Sequence, residues 1–467
     1  MSDVDADSLP VETSDGSGST AVTFSDFASE RNSSVVSDQK QTRARVRHRV
    51  LGFLALLSII TYMDRVCISV SAPRIKEEFG ISPAGWGWVM GVFTLAYGAF
   101  EIPSGAYGDR FGERRMLTRI VAWWSAFTVL TGMTSNFLGL IVTRFLFGVG
   151  EAGAYPNATG SIRRWFPPDE RARAQGIVWG SSRIGGALTP VIVVPLLLAF
   201  GWRFVFYLFG AIGFAWAGFW WVWYRDNPAE HAAVTPEELT EIGPVDPFGS
   251  HHDIPWQRLV QCKQLWLIMV MYASYAWGST FYIAWLPEFL IKGRSLSEQQ
   301  MAFFAALPFA MGAIGNLVGG ILSDRWTRRF GPKIGRVALG SACLFVSSLL
   351  LFCTSVCRSN QLAIVLLALG FGVMDCMLPC AWAICLDIGG KHAGAVSGAM
   401  NTAGQAGGFA CSVLFGYLVG WYGNYNVPLV VIATMVLVSA FLFAQINPSQ
   451  PLELDDHVPV TKEAKCV

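Results

Sequence analysis

The stretch that decides the fold places two adjacent charges inside an apolar run, and it reads Ile59-Ile60-Thr61-Tyr62-Met63-Asp64-Arg65-Val66-Cys67-Ile68-Ser69-Val70. The run begins at Val50 and is long enough to cross a bilayer. A charge at mid-membrane depth costs at least about 2.5–3.5 kcal/mol, so Asp64 and Arg65 are expected to face a polar cavity or each other. Neighbouring residues on a helix point about 100° apart, so the two need not pair.

The composition is typical of a polytopic membrane protein. Hydrophobic residues make up 53% of the 467 positions and charged residues 14%, whereas soluble domains have about 25% charged residues. The mean hydropathy is +0.43. The net charge of +1 gives no indication of nucleic-acid binding. The ten cysteines form no Cys-x-x-Cys motif, which favours apolar packing over a metal site. We expect no metal and no cofactor.

Apolar stretches of about 20 residues, enough for a hydrocarbon core of about 30 Å, occur six times before a polar central segment and six times after it. We predict an all-α membrane protein with twelve transmembrane helices in two six-helix halves. The stretches are 50–72, 86–107, 115–135, 137–161, 174–200 and 203–224, then 264–290, 300–322, 335–356, 361–386, 393–420 and 426–445. The predicted divisions are a disordered cytoplasmic tail 1–45, a transmembrane half 46–225, a cytoplasmic loop 226–262, a second half 263–446 and a cytoplasmic tail 447–467.

Loop charges predict the orientation. The loops after the second, fourth and eighth stretches are strongly basic, and basic loops stay in the cytoplasm. The alternate loops are nearly neutral, and we expect Arg74 and Lys76 there to be balanced by Glu77 and Glu78. Both termini are therefore predicted to be cytoplasmic, in a cell membrane.

The two halves repeat a Gly-x-x-x-Asp-Arg motif at the end of their second stretch. The first Gly would allow close helix contact, and the Asp would accept hydrogen bonds from the start of the next helix. Parallel six-helix halves place their binding site at the midplane between them. We assign the motif charges to a cytoplasmic gate. The positions are Gly105, Asp109 and Arg110 in one half and Gly320, Asp324 and Arg325 in the other.

This layout resembles the major facilitator superfamily. Three stretches further resemble its anion:cation symporters, which include bacterial hexuronate, glucarate and galactonate transporters. The resemblance covers about residues 45–445. The three stretches are Tyr62-Met63-Asp64-Arg65, Arg144-Phe145-Leu146-Phe147-Gly148-Val149-Gly150-Glu151-Ala152, and Tyr155-Pro156 leading to Arg164-Trp165-Phe166-Pro167-Pro168-Asp169-Glu170-Arg171.

The resemblance implies roles for matching positions. Arg65 would hold the substrate carboxylate with a hydrogen bond from Tyr62. Asp64 and Glu151 would take up and release protons, with Arg144 as their charge partner. Where galactonate-type transporters have a glutamine, this chain reads Gly180-Ser181-Ser182-Arg183, in which Ser182 falls nearest the glutamine and Arg183 is an added cation. Asp375 is a further departure.

Residue chemistry leaves several alternatives open. Arg144 and Glu151 are seven apart and share a helix face, as a proton switch or as a static ion pair. Arg183 contacts a second anionic or hydroxyl group of the substrate, pairs with Glu151 or Asp375, or extends toward the membrane surface. Asp375 binds a substrate hydroxyl, carries a third proton or makes an interhelical hydrogen bond.

Polar and aromatic residues of the second half complete the predicted substrate site. Asn401 and Gln405, one turn apart, would recognise a polyol or join helices. Trp382 lies on the preceding helix. Tyr282 and Trp285 would stack on a sugar-like face or belong to an interfacial aromatic belt. Three other residues have conformational roles in this interpretation: Glu101 as a gate contact, and Pro287 and Pro379 as kinks.

The sequence thus predicts proton-coupled symport of a small organic anion, a sugar acid such as a hexuronate, aldonate or aldarate, by a monomer in membrane lipid. An anion exchanger or a sodium-coupled carrier of the same fold is the first alternative, and a non-transporting sensor is the second. No nucleotide-binding loop supports an enzyme.

Overall fold

The structure, a computed structural model, describes residues 46–244, 261–389 and 393–448. The predicted tail 1–45 lies outside these ranges, as do parts of the predicted central loop and of the second tail. Within the ranges the chain is helical, as predicted. The helices are α1 (Val46–Phe79), α2 (Pro83–Phe111), α3 (Glu113–Met133), α4 (Phe137–Glu151), α5 (Ala154–Trp165), α6 (Pro168–Phe200), α7 (Trp202–Trp223), α8 (Pro236–Ile242), α9 (Lys263–Thr280), α10 (Glu298–Phe330), α11 (Leu339–Val356), α12 (Asn360–Asp375), α13 (Met377–Gly389), α14 (Ala393–Tyr422) and α15 (Asn426–Ala444).

Two helices have irregular extensions. α9 continues through residues 281–293, where π-helical turns flank the short α-helix Leu286–Glu288. A π-helical turn, Lys333–Ala338, leads into α11. Within the described ranges, nine helical segments are long and apolar enough to cross a membrane. Each predicted apolar stretch coincides with a long helix or with two consecutive ones, and the number of membrane crossings stays a prediction.

The packing repeats between α1–α7, which we call the N-terminal set, and α9–α15, the C-terminal set. In the N-terminal set α1 packs on α6, α2 on α4 and α3 on α7. In the C-terminal set α9 packs on α14, α10 on α12 and α11 on α15. Between the sets, α2 packs along α14 and α6 along α10. Side chains of α1, α2, α6 and α12 can therefore meet between the sets.

Small residues set the closest helix approaches, and one of the two predicted glycines is among them. A Cβ at Gly105 would lie 3.2 Å from Pro156, which is a tight contact, whereas one at Gly320 would reach only ordinary contact, 3.9 Å from Pro379. The positions in and beside the motifs without any room for a Cβ are Gly108, against the Asn157 side chain, and Gly319, against the Cys376 carbonyl. The prediction is therefore wrong at Gly320, because helix rotation, which the motif does not specify, turns Gly319 to the contact.

An aspartate after α7 accepts a hydrogen bond at the start of α3. The backbone N–H of Arg114 donates to Asp226 Oδ1 at 2.8 Å. The side chain of Asp109 lies outside the described part of the chain, so its role as an acceptor there stays a prediction. α8 acts similarly at the start of α1, because Glu238 accepts from the backbone N–H groups of Val46 and Arg47, at 3.1 and 2.9 Å. The central segment thus caps the first helix.

Candidate functional site

Asp64 and Arg65 point in different directions and do not pair with each other. Asp64 is 3% exposed and forms no ion pair among the described residues. The Trp124 indole and the charges of Glu151 and Arg144 act on it. Arg65 instead donates from Nε to Glu151 Oε1 at 2.5 Å, while its Nη2 has no hydrogen-bond partner among the described residues. One helix turn therefore presents a buried carboxylate without an ion pair and a partly free guanidinium.

Arg144 and Glu151 are both buried, but they form no ion pair with each other. Seven residues rise about 10.5 Å along a helix, which separates the two groups too far for direct contact. Arg65 forms the ion pair with Glu151. The Arg144 guanidinium carbon lies over the rings of Phe93 and Phe147, 4.8 and 4.6 Å from their centres. Its Nε and Nη2 have no hydrogen-bond partner among the described residues. The buried ion pair that joins two helices is instead that of Arg65 with Glu151, so the static interhelical pair and the proton switch both stay open as interpretations.

Three guanidinium groups form what we call the arginine row: Arg144, Arg65 and Arg183. Phe93 lies between the first two, with its ring centre 4.8 Å from Arg144 and 5.4 Å from Arg65. Tyr62 lies between the next two, 5.7 Å from Arg65 and 5.6 Å from Arg183. Aromatic faces attract cations, so the rings, together with Glu151 and Asp375, stabilise like charges near one another. The row runs from α4 through α1 to α6.

Arg183 joins the two sets of helices. Its Nε lies 2.7 Å from Asp375 Oδ2, and its Nη2 donates to Oδ1 at 3.2 Å. Its Nη1 donates to the Tyr62 hydroxyl at 3.3 Å. Of the alternatives for Arg183, this structure contains the pairing with Asp375, and the 4% exposed side chain does not extend to the surface. Tyr275 also donates to Asp375, at 3.4 Å, so Asp375 makes interhelical bonds here.

Glu151 and Asp375 occupy equivalent positions, because each is the last residue of a broken helix. α4 ends at Glu151 and α12 ends at Asp375, and α5 and α13 follow after one or two residues. A proline lies four or five positions further on in each case, Pro156 and Pro379. Proline has no N–H for the carbonyl four residues earlier, and its ring crowds that carbonyl. Each proline favours a break at this point, and each break puts a carboxylate at a helix C-terminus.

Two residues that we predicted to contact the substrate, Ser182 and Tyr282, donate hydrogen bonds to backbone carbonyls in this structure. Ser182 is fully buried and donates to the Trp179 carbonyl of its own helix at 2.6 Å. Tyr282 is fully buried, and its hydroxyl donates to the Leu367 carbonyl at 2.9 Å. Trp285 is also fully buried and stacks on Phe415. The aromatic-belt interpretation of Tyr282 and Trp285 is therefore wrong, because the irregular segment after α9 turns both into the core.

The remaining predicted contacts lie between the sets. Asn401 Nδ2 donates to Glu101 Oε1 at 2.6 Å and so links α14 to α2. Gln405 packs against the same helix, since a Cβ at Gly98 would be 2.7 Å from Gln405 Cβ. Trp382 lies 5.8 Å from Trp179, which stacks on Tyr155 at 4.4 Å. Trp179 was not among the predicted site residues. Its position one turn before Ser182 and Arg183 could have indicated that it lies near the site.

The ends of the bundle differ, and we name them after the ends of α1. At the Phe79 end, Lys76 Nζ lies 2.6 Å from Glu288 Oε1, both buried, and Tyr425 donates to the same oxygen at 2.7 Å. Arg74 pairs with Glu298 at 3.1 Å. Both ion pairs cross between the sets.

At the Val46 end, the predicted gate residues Arg110, Asp324 and Arg325 are exposed and form no ion pair among the described residues. Arg110 lies over the Phe111 ring at 5.5 Å. The nearby ion pair between helices is that of Arg336 with Asp387, within the C-terminal set. Among the described residues, the ion pairs at the ends of the bundle that join the two sets are those at the Phe79 end, and the gate role of the charges at the Val46 end stays a prediction.

Proline also shapes the Phe79 end. Pro287 cannot bond the carbonyl of Ile283, four residues earlier. That carbonyl instead accepts from the Ser69 hydroxyl of α1 at 2.8 Å, across the two sets. Ser69 shares its hydroxyl with the carbonyl of Val66 in its own helix, also at 2.8 Å. The predicted kink at Pro287 therefore provides a contact between sets.

Comparison with known proteins gives consistent relatives. The family model described as Major Facilitator Superfamily matches residues 54–412. The probable sulfoacetate transporter of Cupriavidus necator is 37% identical over 89% of this chain and 97% of its own length. The hexuronate transporter of Bacillus subtilis is 28% identical over 81% of this chain and 89% of its own length. The probable galactarate/D-glucarate transporter of Escherichia coli is 28% identical over 86% and 94%, respectively.

A bacterial homologue of the human lysosomal transporter Spinster, solved in an inward-facing and unoccupied conformation, has the same fold. Its TM-score is 0.71 at 20% identity, over 86% of this chain and 97% of that one. The fold and these relatives make the chain a multi-pass membrane transporter and not an enzyme. The chain belongs to the Major Facilitator Superfamily, in the anion:cation symporter-like group that the hexuronate, galactonate and glucarate transporters represent.

Proposed function

We propose that this chain is a secondary active transporter that moves a small organic anion together with protons by alternating access. The proposal includes twelve membrane crossings in two six-helix halves. The Val46 end lies on the cytoplasmic side of a cell membrane. The substrate is a small organic acid. The names of the relatives support a sugar acid, such as a hexuronate, aldonate or aldarate, or a short sulfonated acid.

The observation that carries the proposal is the Arg65–Glu151 pair beside Asp64, which forms no ion pair among the described residues. A substrate carboxylate that binds Arg65 displaces Glu151 from it. The buried site then holds two carboxylates and the substrate anion opposite Arg65 and Arg144, which is a surplus of one negative charge, and surplus buried charge is costly. One proton, on Glu151 or Asp64, cancels that surplus, and a second proton on the other carboxylate gives the loaded site one net positive charge. Substrate and protons then move in one step.

The energetics favour such coupling. A monoanion with two protons carries one net positive charge, which gains about 2.3 kcal/mol per 100 mV of membrane potential. Each proton gains about 1.4 kcal/mol per unit of pH difference. A monoanion with one proton would be electroneutral and would use the pH difference alone.

The first test is a binding screen of the purified full chain against hexuronates, aldonates, aldarates, small dicarboxylates and sulfoacetate at two pH values. Radiolabelled transport of the best ligand is then measured in proteoliposomes with an imposed pH or sodium gradient. We expect accumulation to follow the pH gradient. Accumulation that instead requires sodium, or an anion on the opposite side, would establish one of the alternatives.

Two variants test the coupling residues. Asp64→Asn and Glu151→Gln keep the shape of each side chain and remove its proton exchange. Each is expected to lose pH-driven accumulation, while exchange of labelled for unlabelled substrate continues. Glu298→Gln, which removes a carboxylate at the Phe79 end, is the matched control and should retain accumulation. Normal pH-driven accumulation in both site variants would refute the proposal.

A further inference from the structure

We infer that the substrate is a dianion, with one anionic group at Arg65 and the other at Arg183. This inference rests on the proposed function and narrows its substrate class. It selects acids with an anionic group at each end, such as aldarates, dicarboxylates and sulfonated carboxylates. Hexuronates and aldonates, which carry a single charge, would occupy only half of the site.

The first argument is the spacing of the cations. Arg65 and Arg183 both lie within 5.7 Å of the centre of the Tyr62 ring, so one substrate can reach both. Each carries a buried carboxylate partner, Glu151 for Arg65 and Asp375 for Arg183. The site is therefore two guanidinium–carboxylate units joined by one tyrosine. A guanidinium presents a fork that matches carboxylate geometry and binds oxyanions strongly.

The second argument is the position of the Arg183 unit. It joins α6 of the N-terminal set to α12 of the C-terminal set, and both side chains are at most 5% exposed. A buried ion pair between parts that move apart must be broken, which leaves two unpaired buried charges. An anionic group of the substrate can replace Asp375 at Arg183 while the sets rearrange. The chain also makes room for Asp375, since a Cβ at Gly312 would lie 2.9 Å from its Oδ2.

The third argument is the charge count. Three carboxylates lie at the guanidinium groups of the arginine row: Asp64, Glu151 and Asp375. A fourth buried carboxylate, Glu101, also acts on Arg65 and accepts a hydrogen bond from Asn401. The phenols around the Arg183 unit are those of Tyr62, Tyr272, Tyr275 and Tyr282. A dianion that displaces Glu151 and Asp375 is balanced by one proton on each. Two protons then move with two negative charges, so no net charge crosses, and a third proton on Asp64 would make the step electrogenic.

The test compares matched ligands that differ by one anionic group. The pairs are D-glucarate against D-gluconate and sulfoacetate against glycolate, with affinities measured by calorimetry on the purified full chain. In the unaltered protein we expect the dianion of at least one pair to bind about tenfold or more tightly. Arg183→Gln should bring that ratio close to one. Asp375→Asn should maintain or increase it, because it leaves Arg183 without a competing carboxylate.

The opposite effects of the two variants separate this inference from a purely structural lock. If the pair only held the sets together, both variants would change the ratio in the same direction or not at all, and the inference would be overturned. Equal affinities for both members of both pairs in the unaltered protein would also overturn it. Arg203→Gln, which removes an exposed arginine paired with Glu78, is the control and should leave the ratio unchanged.

The same measurements distinguish a failure of the dianion inference from a failure of the proposed function. If the monoanions bind and depend on Arg65, with no preference for the dianions, the dianion inference fails and the proposed function stands. If no ligand of either charge binds, and Arg65→Gln changes nothing, the proposed function itself fails.

Discussion

Gly153 shows how a single backbone position creates the break next to Glu151. Its φ is +90°, in the left-handed region that glycine adopts without strain. A Cβ there would also overlap the Cβ of Ser104 in α2. The residue therefore turns the chain from α4 into α5 and lets α2 approach the turn.

We expect Gly153→Ala to lower the free energy of unfolding by about 1–3 kcal/mol, because it adds backbone strain and a steric overlap. Equilibrium unfolding in mixed micelles measures this change. Gly218→Ala is the matched control, since Gly218 is helical and a Cβ there meets nothing within 4 Å. That substitution should be neutral or stabilising by up to about 1 kcal/mol. Equal effects of the two substitutions would contradict the role of Gly153.

At this scale the sequence was a good guide to which charged residues lie in the interior, and a poor guide to their partners. Asp64, Arg65 and Glu151 were predictable because charges inside apolar helices must face a polar interior. Arg65 pairs with Glu151, and Arg144 lies over aromatic rings. This arrangement depends on how α1 and α4 are rotated relative to each other. Local periodicity carries no information on that rotation. The pairing of Arg183 with Asp375 stayed one of several alternatives for the same reason.

Among the elements, α1 and the irregular extension of α9 form the principal latch at the Phe79 end. Lys76 and Glu288 are 4% and 1% exposed, whereas Arg74 and Glu298 are 40% and 30% exposed. The two ion pairs join the same sets at the same end and differ mainly in burial.

Lys76→Met should therefore cost about 3–5 kcal/mol of stability, because Glu288 would stay buried without its cation. Arg74→Met should cost about 0–1 kcal/mol, because water screens the exposed pair. The same unfolding experiment measures both. Similar losses in the two variants would show that burial does not set the strength of the latch.

Helix positions were largely predictable, whereas their interruptions were not. Apolar stretches located the long helices because a run of about 20 apolar residues has few other stable states. The prediction at 137–161 did not include the break after Glu151, and that at 361–386 did not include the break after Asp375. Both prolines were visible, but a proline in a membrane helix produces anything from a slight kink to a complete break.

For the whole molecule, the repeated packing suggests that the two sets move as units about α2–α14 and α6–α10. The contact of α2 with α14 is tightest toward the Phe79 end. A Cβ at Gly87 would lie 2.7 Å from the Ser412 carbonyl and 3.1 Å from that of Val413. Backbone atoms cannot yield as a flexible side chain can, so a larger residue must separate the helices.

We expect Gly87→Val to shift the protein toward a state that is open at the Phe79 end. Spin labels at the exposed positions Glu77 and Gln299, in a cysteine-free background, would report a longer distance distribution than in the parent. Gly52→Val is the control, because a Cβ at Gly52 meets nothing within 4 Å. An unchanged distance distribution in Gly87→Val, with the fold intact, would contradict the movement of the two sets as units about α2–α14 and α6–α10.

The contact between Ser69 and the Ile283 carbonyl has a consequence for water. When the sets part at the Phe79 end, Ser69 can keep its bond to Val66, but the Ile283 carbonyl loses the Ser69 hydroxyl, and Pro287 has no N–H to replace it. Carbonyl groups without a donor are costly at membrane depth, and a water molecule can take the place of the hydroxyl. We therefore expect opening at this end to take up water, so that the balance between the two states of the transporter depends on the activity of water.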